Sequence, residues 1–348
     1  MRFYTNQHKY YCGIDLHAKN LYVCIVDQQA QIHVHKNIPA HPDYLLPLIE
    51  PYLDDLAVSV ECMFTWYWVS DFCLKHNISF VLGHALYMKA IHGSKTKNDK
   101  IDSQKIAMLL RGGLIPMAYV YPQQMRATRD LLRRRMYFMH KRSELLAHIQ
   151  NTRSQYLVEA FEGPVARKRH RHNIVEKFHE QAVAKTVESD LKLLGHYDAV
   201  INDMENYLQR SVKEDAYNTF YLLRSVYGVG KILALVMLYE IHDINRFEKV
   251  QHFTSYARLV RPQKESAGKI KGGGGKKMGN AYLKWAFGEA VLLLIREREE
   301  VKQLHMKLKN KHGKKVALAI LAHKLGRAVY YMLTQQKVFD VNKFTGEK

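Results

Sequence analysis

Four carboxylates stand in this chain where two-metal chemistry on a phosphodiester would need them: Asp15 in GIDLHAK, Glu61 ending the apolar run LAVSV, and Asp99 with Asp102 in NDKID. Asp15 lies inside YYCGIDLHAKNLYVCIVD, a stretch whose pattern predicts a strand, a turn and a second strand. An acid in such a setting faces a steep desolvation cost and normally has a partner, of which a divalent cation is the usual one. Mg²⁺, with Mn²⁺ as an alternative, prefers the oxygen ligands that Asp and Glu supply. Two such ions roughly 4 Å apart stabilise both the attacking and the leaving oxygen of an in-line displacement.

A second stretch with chemical potential is RPQKESAGKIKGGGGKKMGNAYLKWAF, residues 261–287, with six glycines and six lysines between two helical patterns. Its backbone is permissive and rich in donors, as a phosphate-wrapping loop requires. Ser266 is near its start; a serine hydroxyl is a weak nucleophile at neutral pH and needs a base, a metal or a nearby cation to attack phosphorus. Lys264, Lys269, Lys271, Lys276 and Lys277 surround it in sequence and suit the charge that develops on a transferring phosphate. Composition alone favours the plainer reading, a flexible solvated loop carrying an incidental serine. Upstream, YLLRSVYGVGKILALVMLYEI predicts helix, tight turn, helix. There Gly228 and Gly230 would let backbone N–H groups approach a phosphate, with Lys231 adding charge; a plain αα-turn is the other reading.

The elements that must position these residues follow from hydrophobic periodicity. Strands are predicted at Tyr11–Ile14, Leu21–Asp27, Ile32–Ile38, Val58–Glu61 and Ile78–Leu82, and helices at Pro42–Leu53, Trp66–His76 and Asp102–Arg111. The order β-β-β-α-β-α-β-α is that of an RNase H-like sheet, in which Asp15 and Glu61 would come from adjacent central strands. Asp99 and Asp102, three apart at a helix start, would project toward the same edge. After Pro122 the texture becomes helical and charged: Arg126–Leu157, a break at Gly163-Pro164, the basic run ARKRHRH, then Val175–Val212 with an apolar seam. Two helices joined by a short basic loop predict an antiparallel hairpin, an intermolecular coiled coil or a linker packed on its own domain. From Tyr217 onward a helical domain is expected. The predicted class is therefore α/β plus α, with an RNase H-like domain at 1–122, a helical coiled-coil region at 123–215 and a mainly helical domain with a helix-hairpin-helix-like element at 216–348.

Lys and Arg number 53 against 33 Asp and Glu, a formal +20 in 348 residues, which favours a polyanionic partner such as DNA or RNA. No run approaches the ~20 consecutive apolar residues of a bilayer span, and no apolar signal core precedes the first strand. The expectation is a protein without a membrane partner, cytoplasmic and nucleoid-associated. Cys12, Cys24, Cys62 and Cys73 contain no CxxC pair and read as reduced, buried small hydrophobes. His84, His92 and the histidines of the HRH segment at 170–172 are candidates for a general base only because imidazole titrates in the right range.

Taken in order, GIDLHAKN, the Glu ending the fourth strand, NDKIDSQKIA, the long helical middle, LRSVYGVGKILA and FTSYARLVRPQKESAG followed by GGGGKKMGNAYLKWA resemble the DEDD transposases of insertion sequences over about residues 10–335. The resemblance implies a RuvC-like domain holding Mg²⁺ at Asp15, Glu61, Asp99 and Asp102. It also implies a coiled-coil region and a C-terminal transposase domain in which Ser266 attacks the DNA backbone to form a covalent phosphoserine link. It further implies a bridge RNA that pairs with donor and target DNA. Because the acids and Ser266 fall in separate domains, a homodimer joined through the helices and pairing into a tetramer on two DNA segments is expected for strand exchange. Two other readings of the residues remain: a junction endonuclease using the same four acids with water as nucleophile, and a nucleic-acid-binding protein that retains an inactive nuclease fold.

Overall fold

The computed structural model describes residues 2–91, 98–210, 216–261 and 278–346, together with the strand backbones of Glu265–Ser266 and Lys269–Ile270. It divides into two compact units, Met1–Gln124 and Met125–Lys348.

In the first unit, three strands run as an antiparallel meander: β1 (Tyr10–Leu16), β2 (Asn20–Asp27) and β3 (Ile32–Pro39). Helix α1 (Pro42–Ile49) leads to β4 (Leu56–Glu61), α2 (Tyr67–Lys75), β5 (Ser79–Gly83), α3 (Ala85–Ile91) and α4 (Asp99–Arg111). The sheet order is β3-β2-β1-β4-β5, with β4 parallel to both β1 and β5. This is the mixed sheet expected of an RNase H-like domain. Period-two alternation sends Cys12, Ile14, Leu16, Val58 and Val60 to one face, where they meet Leu45 and Ile49 of α1 and Val69 and Phe72 of α2. Tyr11, Ala57 and Val81 point the other way and pack on Ile106, Ala107 and Leu110 of α4. Helix α4 begins three residues before its predicted start, because the Asn98 side chain accepts from the Lys100 N–H and caps the first turn. The cysteine expectation needs one correction. Cys12, Cys24 and Cys73 are buried, but Cys62 is exposed, since it lies just past the end of β4 where the chain leaves the sheet.

In the second unit, α5 (Gln123–Gln155, starting at the boundary) and α6 (Gln181–Arg210) form an antiparallel hairpin within one chain. Its rungs are Arg135–Glu205, Arg142–Asp198 at 2.6 Å and His148–Asp190 at 2.5 Å. The connection is more than a basic loop: Val165, Ile174 and Phe178 are buried against Ile149, Val187 and Leu194 in a small core of their own, and Arg171 reaches Asp198 at 2.6 Å. Then come α7 (Tyr217–Arg224), α8 (Lys231–Ile241), α9 (Val250–Tyr256), the two-residue strands β6 (Glu265–Ser266) and β7 (Lys269–Ile270), α10 (Ala281–Glu297), α11 (Glu299–His312), α12 (Lys314–Gln335) and α13 (Val341–Thr345). The main core of this unit forms around α8, whose residues Leu233 to Ile241 are all buried. By length and composition α12 is apolar enough to cross a membrane. Its Leu321, Leu325, Val329 and Leu333 are instead buried in that core.

Candidate active site

The acids gather where parallel strands end. In the β1–β4 register Gly13 lies beside Ser59 and Ile14 beside Val60; one further step brings Asp15 level with Glu61. Both carry the parity of Tyr11 and Ala57, so both point to the α4 face. Asp15 remains only 17 % exposed. From α4, Asp99 comes to Asp15: a ligand atom each from Asp15, Asp99 and His17 lies within 4.8 Å of the other two, and among the described residues neither Glu61 nor Asp102 joins that group. His17 Nε2 sits 3.5 Å from Asp15 Oδ2 and 3.5 Å from Asp99 Oδ1. Asp102, one helical turn on, is three-quarters buried and takes an ion pair from Lys105 at 3.3 Å. Carboxylates with one imidazole form a donor set that suits a divalent cation, so the residues fit the metal their spacing implied.

How α4 comes so close is a matter of one missing side chain. A Cβ at Gly13 would overlap the backbone N of Ala107 and the backbone O of Ser103, so only glycine lets the helix rest directly on β1. The first turn is tied from the other side as well. His35 of β3 bonds the Lys100 carbonyl at 2.8 Å, and Ser103 Oγ donates to the same oxygen at 2.9 Å. The turn carrying Asp99 and Asp102 is thus fixed by contacts that neither acid makes itself.

Ser266 belongs to the second unit. Its backbone pairs antiparallel with Lys269, and Glu265 with Ile270. Lys264, Lys271, Lys276 and Lys277 lie outside the described residues. The segment is closed at its base: Arg258 Nε donates to the Met278 carbonyl at 2.8 Å, and the Asn280 N–H donates to the Tyr256 carbonyl at 2.5 Å. Asn280 Oδ1 caps α10 by accepting from Tyr282 and Leu283, while its Nδ2 donates to the buried Glu240 at 2.7 Å. Glu240 also takes Arg129 at 3.0 Å and Arg133 at 2.6 Å. Gly228 has φ +80, and a Cβ there would crowd the Leu293 backbone, so this glycine is required by the packing of α10 on the α7–α8 turn. Gly230 is the N-cap residue of α8, with the exposed Lys231 following it.

Comparison with known proteins matches the same two regions. Residues 12–158 fit the model of DEDD transposases of IS110 type, and residues 221–306 fit the model described as the transposase IS116/IS110/IS902 family. The chain belongs to the IS110-type DEDD transposases. It is 25 % identical over 255 residues, 70 % of this chain and 68 % of the relative, to the transposase for insertion sequence element IS1111A of Coxiella burnetii (strain RSA 493 / Nine Mile phase I). It is thus an enzyme of an insertion sequence, acting on DNA in transposition.

Within this transposase the histidines divide. His17 joins the acids although it lies just past the end of β1, in the turn to β2; its signal in the sequence is its place two residues after Asp15 in GIDLHAK. His84 follows β5, where Gly83 is the register partner of Glu61; it is half-buried, and desolvation holds its imidazole below the ordinary range. His92 lies outside the described residues. His170 accepts from Arg169 at 3.1 Å, and His172 meets the Arg169 carbonyl at 2.8 Å, both within the connection between α5 and α6.

Proposed function

We propose that this transposase cuts and rejoins donor and target DNA with a covalent phosphoserine intermediate, using Asp15, Glu61, Asp99 and Asp102 as a Mg²⁺ site, replaceable by Mn²⁺, and Ser266 as nucleophile. The observation that carries the reading is the meeting of Asp15, Asp99 and His17 at the edge where β1 and β4 end. Bound there, a divalent cation would supply Lewis-acid stabilisation of charge on the scissile phosphate. The residues do the rest. Gly13 and His35 hold the α4 turn so that its acids face Asp15. Ser266 Oγ loses its proton as it forms the new bond to phosphorus, and the leaving oxygen of the cut strand takes up a proton. In joining, the hydroxyl of the incoming strand attacks the phosphoserine and returns the serine. Lys264, Lys269 and Lys271 stabilise the phosphate charge during transfer, and Gly228, Gly230 and Lys231, with Lys276 and Lys277, contact backbone phosphates.

The acids lie in the first compact unit and Ser266 in the second, so catalysis requires both units at one phosphate. That requirement supports assembly on DNA, as a homodimer pairing into a tetramer across two DNA segments. Sequence choice is assigned to a bridge RNA pairing with both DNAs, which leaves the protein to read shape and backbone; the +20 charge suits both polyanions. The chain order supports a RuvC-like domain at 1–122, a coiled-coil region at 123–215 and a transposase domain at 216–348 with a helix-hairpin-helix-like element.

The test is a cleavage reaction with donor and target DNA and the element's own RNA, quenched in denaturant. Wild-type protein should stay attached to DNA through a phosphoserine, and Ser266→Ala should leave neither adduct nor product. Full-rate cutting by Ser266→Ala would make water the nucleophile and the enzyme a junction endonuclease. Unchanged cutting and metal-dependent binding in Asp15→Asn would remove the metal centre from the reaction.

A further inference from the structure

We infer that His17 is a direct ligand of the metal centre and that its nitrogen tilts the site toward Mn²⁺ over Mg²⁺. The inference rests on the reading of the acids as a metal site and adds a residue outside the four carboxylates. Three observations carry it. First, the same atom, Nε2, faces both Asp15 and Asp99 at 3.5 Å, whereas a lone ion pair would need only one of them. Second, cis ligands on an ion of about 2.1 Å bond length lie about 3 Å apart; Nε2 stands 3.5 Å from each carboxylate oxygen and the three residues' ligand atoms lie within 4.8 Å of one another, so a small closing movement would bring them to ligand spacing. Third, the backbone beneath the ring is fixed: the His17 N–H donates to the Asn20 carbonyl at 3.0 Å and closes the turn between β1 and β2, while Ala40 donates to the Lys19 carbonyl at 2.9 Å. The ring therefore leaves the sheet at a defined point, two residues from Asp15.

An imidazole matters because it discriminates among cations as carboxylates alone do not. Mg²⁺ favours oxygen and gives up water reluctantly. Nitrogen donors bind first-row transition ions more strongly, in the order Mn²⁺ below Co²⁺ below Ni²⁺. Replacing one oxygen position by Nε2 therefore costs Mg²⁺ relative to Mn²⁺ and Co²⁺. The consequence is selectivity, with Mn²⁺ filling the site at concentrations where Mg²⁺ fills it only partly.

Binding to the full-length protein without DNA tests this independently of catalysis. The probes are Mn²⁺, read from the electron paramagnetic resonance of the free ion, and Mg²⁺ as its competitor. Wild-type protein should show electron–nuclear coupling from imidazole ¹⁴N to bound Mn²⁺. His17→Ala should lose that coupling and bind Mn²⁺ about 10-fold or more weakly, with Mg²⁺ binding changed less than about two-fold. His17 is 54 % exposed, so the variant should keep the wild-type melting temperature. Retained ¹⁴N coupling, or an unchanged ratio of Mn²⁺ to Mg²⁺ affinity, would overturn the assignment. Asp15→Asn separates the two levels: if it abolishes Mn²⁺ binding while His17→Ala does nothing, only the histidine falls. If Asp15→Asn binds like wild type, or wild type binds no Mn²⁺ at all, the metal reading falls and His17 with it.

Discussion

Asn280 Nδ2 donates to Glu240 Oε2 at 2.7 Å in the interior of the second unit, joining the start of α10 to the last turn of α8. Arg129 and Arg133 of α5 converge on the same carboxylate. One buried acid thus ties a long helix, the core helix and the residue that ends the Ser266 segment. Removing one partner of a buried ion pair costs about 3–5 kcal/mol because the other charge is left uncompensated. Glu240→Ala should lower the unfolding free energy by about that amount, measured by denaturant melts. A loss under about 1 kcal/mol, the size of a surface pair, would show that the cluster is not a structural hub.

The same group sets an acid limit. Burial alone would raise the Glu240 carboxyl, but hydrogen bonding from Arg133, the charges of Arg129 and Arg133, and the Asn280 hydrogen bond outweigh it and hold the group below its ordinary value of 4.5. A carboxylate lowered on folding adds stability above its unfolded value, and that stability is lost as pH falls through the folded value. Stability should therefore drop from about pH 4.5 downward, with a shallower drop in Glu240→Gln. Thermal melts across pH 3 to 7, taken as roughly spanning carboxylate titration, decide it; identical slopes would exclude Glu240 as the source.

Gly13→Ala places a methyl against the backbone of Ala107 and Ser103, neither of which is the yielding end of a side chain. Overpacking of this kind costs about 1–3 kcal/mol, and relief requires α4 to lift from β1. The variant should fold with a lower melting point, and its metal-dependent DNA cleavage should fall further than its stability explains. Wild-type cleavage by a destabilised variant would separate helix seating from the site.

Asp99 and Asp102 should differ when tested singly. Asp99 shares a cluster with Asp15 and His17, whereas Asp102 is paired with Lys105. Asp99→Asn should weaken divalent-cation affinity more than Asp102→Asn, and Lys105→Ala should strengthen cation binding by freeing the Asp102 carboxylate from a competing charge. Isothermal titration with Mn²⁺ compares the three; the reverse order would show that the metal lies toward Asp102.

How much of this was legible in the sequence depends on how local the cause is. The five strands and the parity placing Asp15 and Glu61 on one face follow from alternation with period two, which a sequence displays directly. The earlier start of α4 was readable in principle, since Asn98 is a capping residue in plain view. Glu240 was not: it sits in an apolar run, and its partners lie 111 residues earlier at Arg129 and 40 later at Asn280. Likewise nothing near Gly13 announces that a helix beginning at Asp99 will land on it. Long-range polar satisfaction leaves no periodic trace.

The seating of α4 on Gly13 has a bearing on how this enzyme could be re-engineered. The close seating of α4 on β1 at Gly13 also positions the turn that carries Asp99 and Asp102, so a mutational library at positions 13, 103 or 107 would sample folding and the proposed site together and mostly recover losses. Variation is better spent elsewhere. The exposed surface of the α5–α6 hairpin, including Tyr137 and Tyr207, can be diversified while the proposed site is left as it stands.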